Sequence, residues 1–315
     1  MGDDRWSNVT VSLAYRLGEI RLFSRTFSGV ADTRHFTAVA PYGALPDPAA
    51  ELRNPPDFVF YPTYPVAFVP EPVQRPRSWL AYTPYTFRNY YVDIRRVGSF
   101  DEYVKLFSPK SRSTLRRKVK KFAAANGGGV QWREFERPDE LREFFALARA
   151  VSSKTYQERL LDVGLPATEE FVGQLASLAH ARRVLGYILL LHGRAVAYVC
   201  CVRREAIVTY DWVGYDPDVG ALSPGTVLQY LMLQRLFERR DVAIFDFTEG
   251  EGGLKRLFST DERLCAKTYF VRPTFENTAL IKLHHRLNGV VHAVGQMVDG
   301  LGVKRGLRRF IRRLA

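Results

Sequence analysis

Two stretches of the chain hold residue types at spacings that can do chemistry. The first is Phe245-Asp246-Phe247-Thr248-Glu249-Gly250-Glu251-Gly252-Gly253-Leu254-Lys255. An apolar strand runs out into a glycine-rich turn that carries carboxylates and a lysine. At a strand end, Glu249 or Asp246 is suited to take a proton as general base, and Lys255 to offset an oxyanion or hold a phosphate. The competing reading is a surface turn with a Glu251–Lys255 pair of little energetic weight. The second stretch joins the apolar run Ile207–Tyr215 to Ser223-Pro224-Gly225-Thr226. Ser223 suits a helix N-cap, and Pro224 suits the first helical position, where a missing N–H costs nothing. Gly225 leaves the backbone bare. The amides of Gly225, Thr226 and Val227, with the positive end of the helix dipole, then suit an anion such as a pyrophosphate. Ser-Pro-Gly is also an ordinary helix start. Its place directly after a strand and loop is what raises it.

The elements that must position these residues follow from periodicity. In the first hundred residues Val9–Tyr15, Phe58–Tyr61 and Tyr90–Ile94 read as strands, and proline-rich Gly43–Pro76 as irregular. Phe100–Phe122 reads as a helix, with Leu115, Val119 and Phe122 on one face and basic residues around the rest. Asn126-Gly127-Gly128-Gly129 is the best candidate boundary between domains. Beyond it come a strand at Val130–Phe135 and helices at Pro138–Val151 and Thr168–Ala181. An antiparallel meander follows, at Val184–Leu191, Val196–Arg203 and Ile207–Tyr215. A helix from the Ser-Pro-Gly start to about Arg240, a strand at Val242–Phe247, a short helix at Gly253–Phe258 and a strand at Cys265–Val271 complete the pattern. This is an α/β chain, with no solenoid repeat.

Composition narrows the class. The chain has 315 residues, 46% hydrophobic and 25% charged, an ordinary globular mixture that excludes fibres and disorder. Its longest apolar runs, Val184–Leu191 and Ala195–Val202, are far below the roughly 20 residues of a spanning helix. No apolar leader opens the chain, and Trp6 stands where a myristoylation signal wants Ser or Thr. The three cysteines, Cys200, Cys201 and Cys265, cannot form a disulfide framework. Adjacent Cys200 and Cys201 point to opposite faces of a strand and cannot share a metal. They read as buried core residues rather than nucleophiles. No His/Cys cluster has ligand spacing, since His284-His285 lie in the final helix, so no metal is expected. A reducing cytoplasm is expected.

The net charge of +13 is local in origin. Lys105–Lys121 holds eight basic residues and no acid, and the segment from Arg272 onward holds nine basic residues against two acidic. Such a field suits an anionic partner: a phosphorylated cofactor, a membrane surface or nucleic acid. Leu280, Leu283, Leu287, Val290, Val294, Met297 and Leu301 form a heptad stripe that suits packing on the chain's own domain or another subunit. Val303, Leu307, Phe310, Ile311 and Leu314 continue an apolar face opposite six basic residues. That end suits an anionic lipid surface and a peripheral place on the inner face of a membrane.

The Ser223–Thr226 helix start, followed by Asp246–Lys255, resembles the GNAT acyltransferase superfamily. More narrowly it is similar to the acetyltransferase-like branch named for cellulose biosynthesis, related to Fem-type transferases. Arg112-Ser113-Thr114-Leu115-Arg116-Arg117 and Lys154-Thr155-Tyr156-Gln157 carry the resemblance further, over about Phe100–Pro273. It implies a GNAT fold with a mixed, mostly antiparallel central sheet flanked by helices, preceded by a degenerate GNAT-like or β-rich half. The domains would be 1–126, a catalytic 130–275 and a basic helical tail at 276–315. An acyl-CoA donor would lie between two splayed strands, its pantetheine along Thr209–Gly214, contacting Trp212, Val213 and Gly214. Its pyrophosphate would lie on Ser223, Gly225, Thr226 and Val227. An amide at Val213 or Gly214 would polarise the thioester carbonyl. Glu249, Asp246, Lys255, Asp211 and Tyr210 are the candidate catalytic side chains. The acceptor would be a primary amine, such as a lipid-like sphingoid base. The loop Asp218–Gly225 departs from the best-known family signature. A Fem-type enzyme using aminoacyl-tRNA, with Lys105–Lys121 on the RNA, and a non-catalytic binding module are the alternatives.

Overall fold

A computed structural model describes residues 5–17, 20–41, 43, 45–155 and 164–300, with side chains to residue 290 of the last helix. In chain order the elements begin with β1 (Trp6–Leu17), β2 (Ile20–Asp32), α1 (Pro48–Glu51), β3 (Phe58–Pro65), β4 (Val73–Gln74) and β5 (Leu80–Asp93). Helices α2 (Ile94–Val97), α3 (Phe100–Leu106) and α4 (Pro109–Ala125) follow, then β6 (Gln131–Phe135), α5 (Leu141–Ser152) and α6 (Glu169–His180). Next are β7 (Val184–Leu191), β8 (Arg194–Arg204), β9 (Ile207–Tyr215), α7 (Pro224–Glu238) and β10 (Ile244–Asp246). The chain closes with α8 (Gly253–Phe258), β11 (Asp261–Val271) and α9 (Phe275–Gly300).

The chain divides into two compact units, Met1–Arg88 with Arg263–Ala315, and Asn89–Glu262. The expected boundaries at 126 and 275 do not coincide with these. Asn126–Gly129 is a turn inside the second unit, where Gly127 and Gly128 take positive φ.

In the first unit β1 and β2 form an antiparallel hairpin, β3 joins β2 in parallel, and β11 runs antiparallel to β3. Strand β2 was not expected: its first seven residues mix exposed Ile20, Leu22 and Phe23 with Arg21, Ser24, Arg25 and Thr26, so no clean alternation marks it. The strand expected at Phe58–Tyr61 is the first half of β3, which runs on to Pro65, while the rest of Gly43–Pro76, expected to be irregular, also holds α1 and β4. Aromatic stacking of Phe58, Phe60 and Tyr269 outweighs the prolines there. Helix α9 buries Ile281 and His284 and sets Leu280 and Leu287 against Leu13, Tyr15 and Phe27 of its own unit. The contact face therefore runs 280, 281, 284, 287, while Leu283 and Val290 of the expected stripe are exposed. The tail from Leu301 to Ala315, expected to meet an anionic surface, lies outside the described residues. Among the described residues no helix is long and apolar enough to cross a membrane.

His284 is pinned by three partners. Tyr82 Oη lies 2.6 Å from its Nδ1, and Asn288 Nδ2, which can only donate, lies 3.2 Å away. Nδ1 is thus an acceptor, and the ring proton is left for the Ala14 carbonyl. Burial lowers its pKa below the ordinary 6.5, reinforced by neighbouring His285. The unfolded chain then binds a proton that the folded chain refuses, so stability is lost as pH falls through about 6.5. The melting temperature drops between pH 7.5 and 5.5, and His284→Gln flattens that slope. An unchanged slope in thermal melts of the variant would assign the effect elsewhere.

In the second unit the sheet order is the end of β5, then β10, β9, β8, β7 and β6. Only β9 and β10 are parallel neighbours; the rest pair antiparallel. Alternation sorts its two faces. Leu185, Tyr187, Leu189, Val199 and Cys201 face the side covered by α3, α4 and α7. Val184, Ile188, Tyr198 and Cys200 face α5 and α6. The adjacent cysteines thus sit in separate cores, both buried with their thiols raised by burial. The helix expected over Phe100–Phe122 is two. The chain breaks at Phe107-Ser108, where Ser108 accepts from the Ser111 amide at 3.1 Å and Pro109 opens the second helix. Pro138–Glu140 is a 3-10 turn before α5 rather than its first turn.

Candidate active site

The site begins where β9 and β10 part. They pair in parallel over Ile207–Thr209 and Ile244–Asp246 only. Beyond that, β10 ends, while β9 continues to Tyr215 with no described strand on that edge. The open edge spans Tyr210 to Tyr215, about 16 Å at strand rise.

A β-bulge sets which groups face the gap. Pairing with β8 jumps from Cys200↔Trp212 to Cys201↔Tyr210, leaving Asp211 as the extra residue. Its carboxylate accepts from the Val202 amide at 3.1 Å and Thr209 Oγ1 at 2.6 Å, so it fills the break in the ladder. Desolvation raises the Asp211 pKa against these two hydrogen bonds. Further on, the Asp216 amide bonds Val196 O at 2.8 Å. Antiparallel ladders alternate, so Gly214 and Trp212 also bond to β8, and the N–H and C=O of Val213 and Tyr215 face the gap. Of the two amides expected to polarise a carbonyl, Val213 is therefore placed for it and Gly214 is not. Trp212 is likewise turned away, its ring edge-on to Phe171 at 4.9 Å on the opposite face. Gly214 is required by packing: a Cβ there would meet Tyr198 Cε1 at 2.6 Å and Thr155 Cγ2 at 2.9 Å.

The Lys154-Thr155 pair buttresses this strand end. Lys154 Nζ lies 3.0 Å from Asp216 Oδ2, and Arg194 lies 3.3 Å from the same oxygen, while Asp216 is 1% exposed. Although desolvation opposes it, the Lys154 contact and the Asp218 amide leave the Asp216 carboxyl below its usual range. Tyr156 and Gln157 lie outside the described residues.

At the far end of the edge stands the start of α7. Ser223 does not cap it: the residue takes a left-handed φ of 53° and its side chain makes no capping bond. Val227 offers no free amide either, since its N–H already bonds Ser223 O at 3.1 Å. Among the described residues, the amides of Gly225 and Thr226 have no backbone acceptor. The Tyr215 ring lies over Gly225, 3.5 Å from where a Cβ would be. Lys118 of α4 donates to Thr226 Oγ1 at 3.2 Å, and Lys121 to Ala221 O at 2.9 Å. Two amides, a hydroxyl and an ammonium thus converge on one helix end, a suitable anion site. Sequence reasoning missed Lys118. The signal was present, because it falls three residues after Leu115 and four before Phe122, on the stripe that faces a neighbour.

At the near end is the turn after β10. Asp246, 6% exposed, accepts from the Thr248 amide at 2.8 Å and from Asn89 Nδ2 at 3.1 Å, which holds Thr248 at φ 59°. Thr248 Oγ1 reaches the Tyr210 carbonyl at 3.4 Å, joining the turn to the open edge. Lys255 does not pair with Glu251, which contacts Arg256 at 3.3 Å instead. Its Nζ donates to the carbonyls of Thr248 at 3.2 Å and Glu249 at 2.7 Å. Desolvation lowers the Lys255 pKa, opposed by Asp246 and Glu249. Glu249 is exposed at the tip of the turn. The Tyr210 ring packs edge-on against Phe245 and Phe247, and burial raises its hydroxyl pKa, so it stays protonated.

A shallow groove of about 500 Å³ runs along α4, lined by Pro109, Arg112, Ser113, Arg116, Arg117 and Lys120. It shares no lining residue with the strand gap. Among the described residues no cluster of His, Cys, Asp and Glu has the makings of a metal site.

A parallel strand pair that splits, a ladder edge without a described partner and a helix start with two open amides thus lie together in the second unit. Residues 109–256 match the model of the acetyltransferase (GNAT) domain. The chain matches no curated protein. Among solved structures it is similar to a conserved protein of unknown function from Bacteroides thetaiotaomicron VPI-5482, at 13% identity over 62% of this chain and 63% of that one, with a TM-score of 0.46. It is also similar to L-PGS from Bacillus licheniformis, at 16% identity over 74% and 73%, with a TM-score of 0.45. FemX matches at 12% identity over 63% and 64%, with a TM-score of 0.44. The chain thus spans less than two thirds of the first and last of these.

Proposed function

We propose that the protein moves an acyl group from a coenzyme A thioester to a primary amine by direct attack. The observation that carries this is the open β9 edge running from the Glu249 turn to the start of α7. An extended donor arm can bond to Val213 and Tyr215 as an added strand, with its diphosphate on the Gly225 and Thr226 amides and Lys118. The Val213 N–H then polarises the thioester carbonyl.

An amine of lysine-like pKa, about 10.4, is protonated at neutral pH and must lose a proton before it attacks. Glu249, directly or through a water, takes that proton. The nitrogen lone pair forms the C–N bond at the carbonyl carbon, and the C–S bond breaks. The second proton that the nitrogen sheds as the amide forms passes to the departing thiolate, while Tyr210, whose buried phenol keeps its proton, packs against Phe245 and Phe247. Asp246 and Lys255 hold the turn that presents Glu249, and Asp211 holds the bulge that aims Val213. Their part in this scheme is positioning.

The basic, apolar-faced end of the sequence supports a lipid-like amine as acceptor at a membrane surface. The basic groove on α4 favours a second reading, in which an aminoacyl-tRNA supplies the acyl group and binding weakens steeply with salt. Thermal shift with acetyl-CoA, a long-chain acyl-CoA and tRNA separates the two, since a ligand of the native state raises the melting point. We expect stabilisation by an acyl-CoA and turnover with a sphingoid base. A shift with tRNA alone retires the coenzyme A reading. Turnover confined to hydrophilic amines retires the lipid acceptor.

A further inference from the structure

We propose that Gln229 is a recognition residue for the amide-bearing arm of the thioester donor, an inference that rests on the coenzyme A reading above. Gln229 is 1% exposed, and neither Nε2 nor Oε1 has a hydrogen-bond partner among the described residues. Turning the carboxamide over changes nothing, because both ends are unpaired. A buried carboxamide with no partner weakens the free protein, and the ordinary solution at such a position is a leucine or methionine.

The position explains what the group is for. Gln229 stands four residues after Gly225 and three after Thr226 on α7, so all three share one side of the helix. Helical side chains lean toward the N-terminus, which carries the carboxamide back to the first turn and the anion site. Its helix neighbours Val227, Leu228, Met232 and Leu233 lie in the same core as Tyr210 and Val213 of the open edge. The carboxamide therefore leans toward the helix end that carries the anion site, from a helix whose neighbouring side chains pack in the core shared with Tyr210 and Val213.

Its chemistry selects the ligand class. A carboxamide needs an acceptor for its N–H and a donor for its oxygen. A phosphate satisfies only the first need, and an acyl chain neither. A secondary amide satisfies both, and the pantetheine arm carries two of them.

The test is calorimetric titration of wild type, Gln229→Leu and Gln229→Met with coenzyme A and with 3′-phosphoadenosine 5′-diphosphate. The second probe keeps the phosphates and lacks the arm. In both variants coenzyme A should bind about tenfold more weakly, the worth of one or two hydrogen bonds. The nucleotide should bind within about twofold of wild type, and the free variants should melt no lower than wild type. An unchanged coenzyme A affinity, or an equal loss for both probes, overturns the inference while leaving the donor reading intact. Failure of both variants to fold also overturns it, because it assigns Gln229 to packing. Wild type that binds neither probe overturns the coenzyme A reading itself, and this inference with it.

Discussion

Glu249→Gln lowers kcat by about a hundredfold or more while the dissociation constant for coenzyme A stays within about twofold of wild type. The amide keeps the size and the hydrogen-bonding reach of the carboxylate but cannot accept a proton at neutral pH. Donor affinity is expected to be spared because the groups proposed to hold the donor belong to other elements: the β9 edge, the first turn of α7, and Lys118, which donates to Thr226. The turn itself should not move. Its shape depends on Asp246 accepting the Thr248 amide and on Lys255 holding two backbone carbonyls, one of them that of Glu249; the substitution keeps these hydrogen bonds and removes only the Glu249 charge near Lys255. Steady-state kinetics with an acyl-CoA and an amine, beside direct titration of coenzyme A, provide the check. Turnover at the wild-type rate would remove Glu249 from the scheme and shift proton removal to water.

Gly29→Ala is the substitution with the largest expected cost in stability. A Cβ at this position would lie 2.0 Å from the Phe58 carbonyl oxygen and 2.8 Å from its carbonyl carbon. Both are backbone atoms, so no side chain can swing aside. Here β2 comes alongside β3 just before they pair at Val30 and Val59. A methyl group must force the two strands apart or break that pairing. We expect a loss of about 3 kcal/mol, at the top of the range for overpacking, and a melting point roughly 10 °C lower. A variant that melts with wild type would mean that the strands can separate without cost.

The two halves of the chain differ in how plainly their sequences announce them. Val184–Leu191 and the two strands after it are bounded by tight turns and filled with apolar residues, and each strand lies where its pattern puts it, within a residue or two. The first hundred residues are harder. Strand β2 interleaves exposed Ile20, Leu22 and Phe23 with arginines and serines in no two-residue rhythm, so its pattern does not mark it as a half-buried strand. Inside the proline-rich stretch the apolar run Phe58–Tyr61 marks the start of β3, but its continuation to Pro65 and the short β4 are not legible, because β3 is held by aromatic partners more than two hundred residues away in sequence.

The site divides in the same way. Local chemistry marked Ser223–Val227 and Asp246–Lys255 as ends of elements, and they are. Roles that depend on ladder parity were not legible. The bulge at Asp211 shifts the phase by one residue, which places the backbone of Val213 toward the gap and that of Gly214 toward β8. Ser223 looked like a cap because of its type, but the left-handed backbone at that point turns its hydroxyl away from the task. Gln229 gave no signal, because one glutamine in a helix is unremarkable until its burial is known.

The unpaired stretch of β9 has a cost that its use as a binding edge conceals. A row of open N–H and C=O groups will accept any extended polypeptide as readily as it accepts a ligand, which is how strand-edged proteins come to stick to one another. Here the exposure is short, and the irregularity at Asp211 adds twist, so a second chain could find only a few bonds before it diverged. The same kink that aims one amide inward thereby also makes the opening a poor template for self-association, and keeps it available for a narrow, flexible guest.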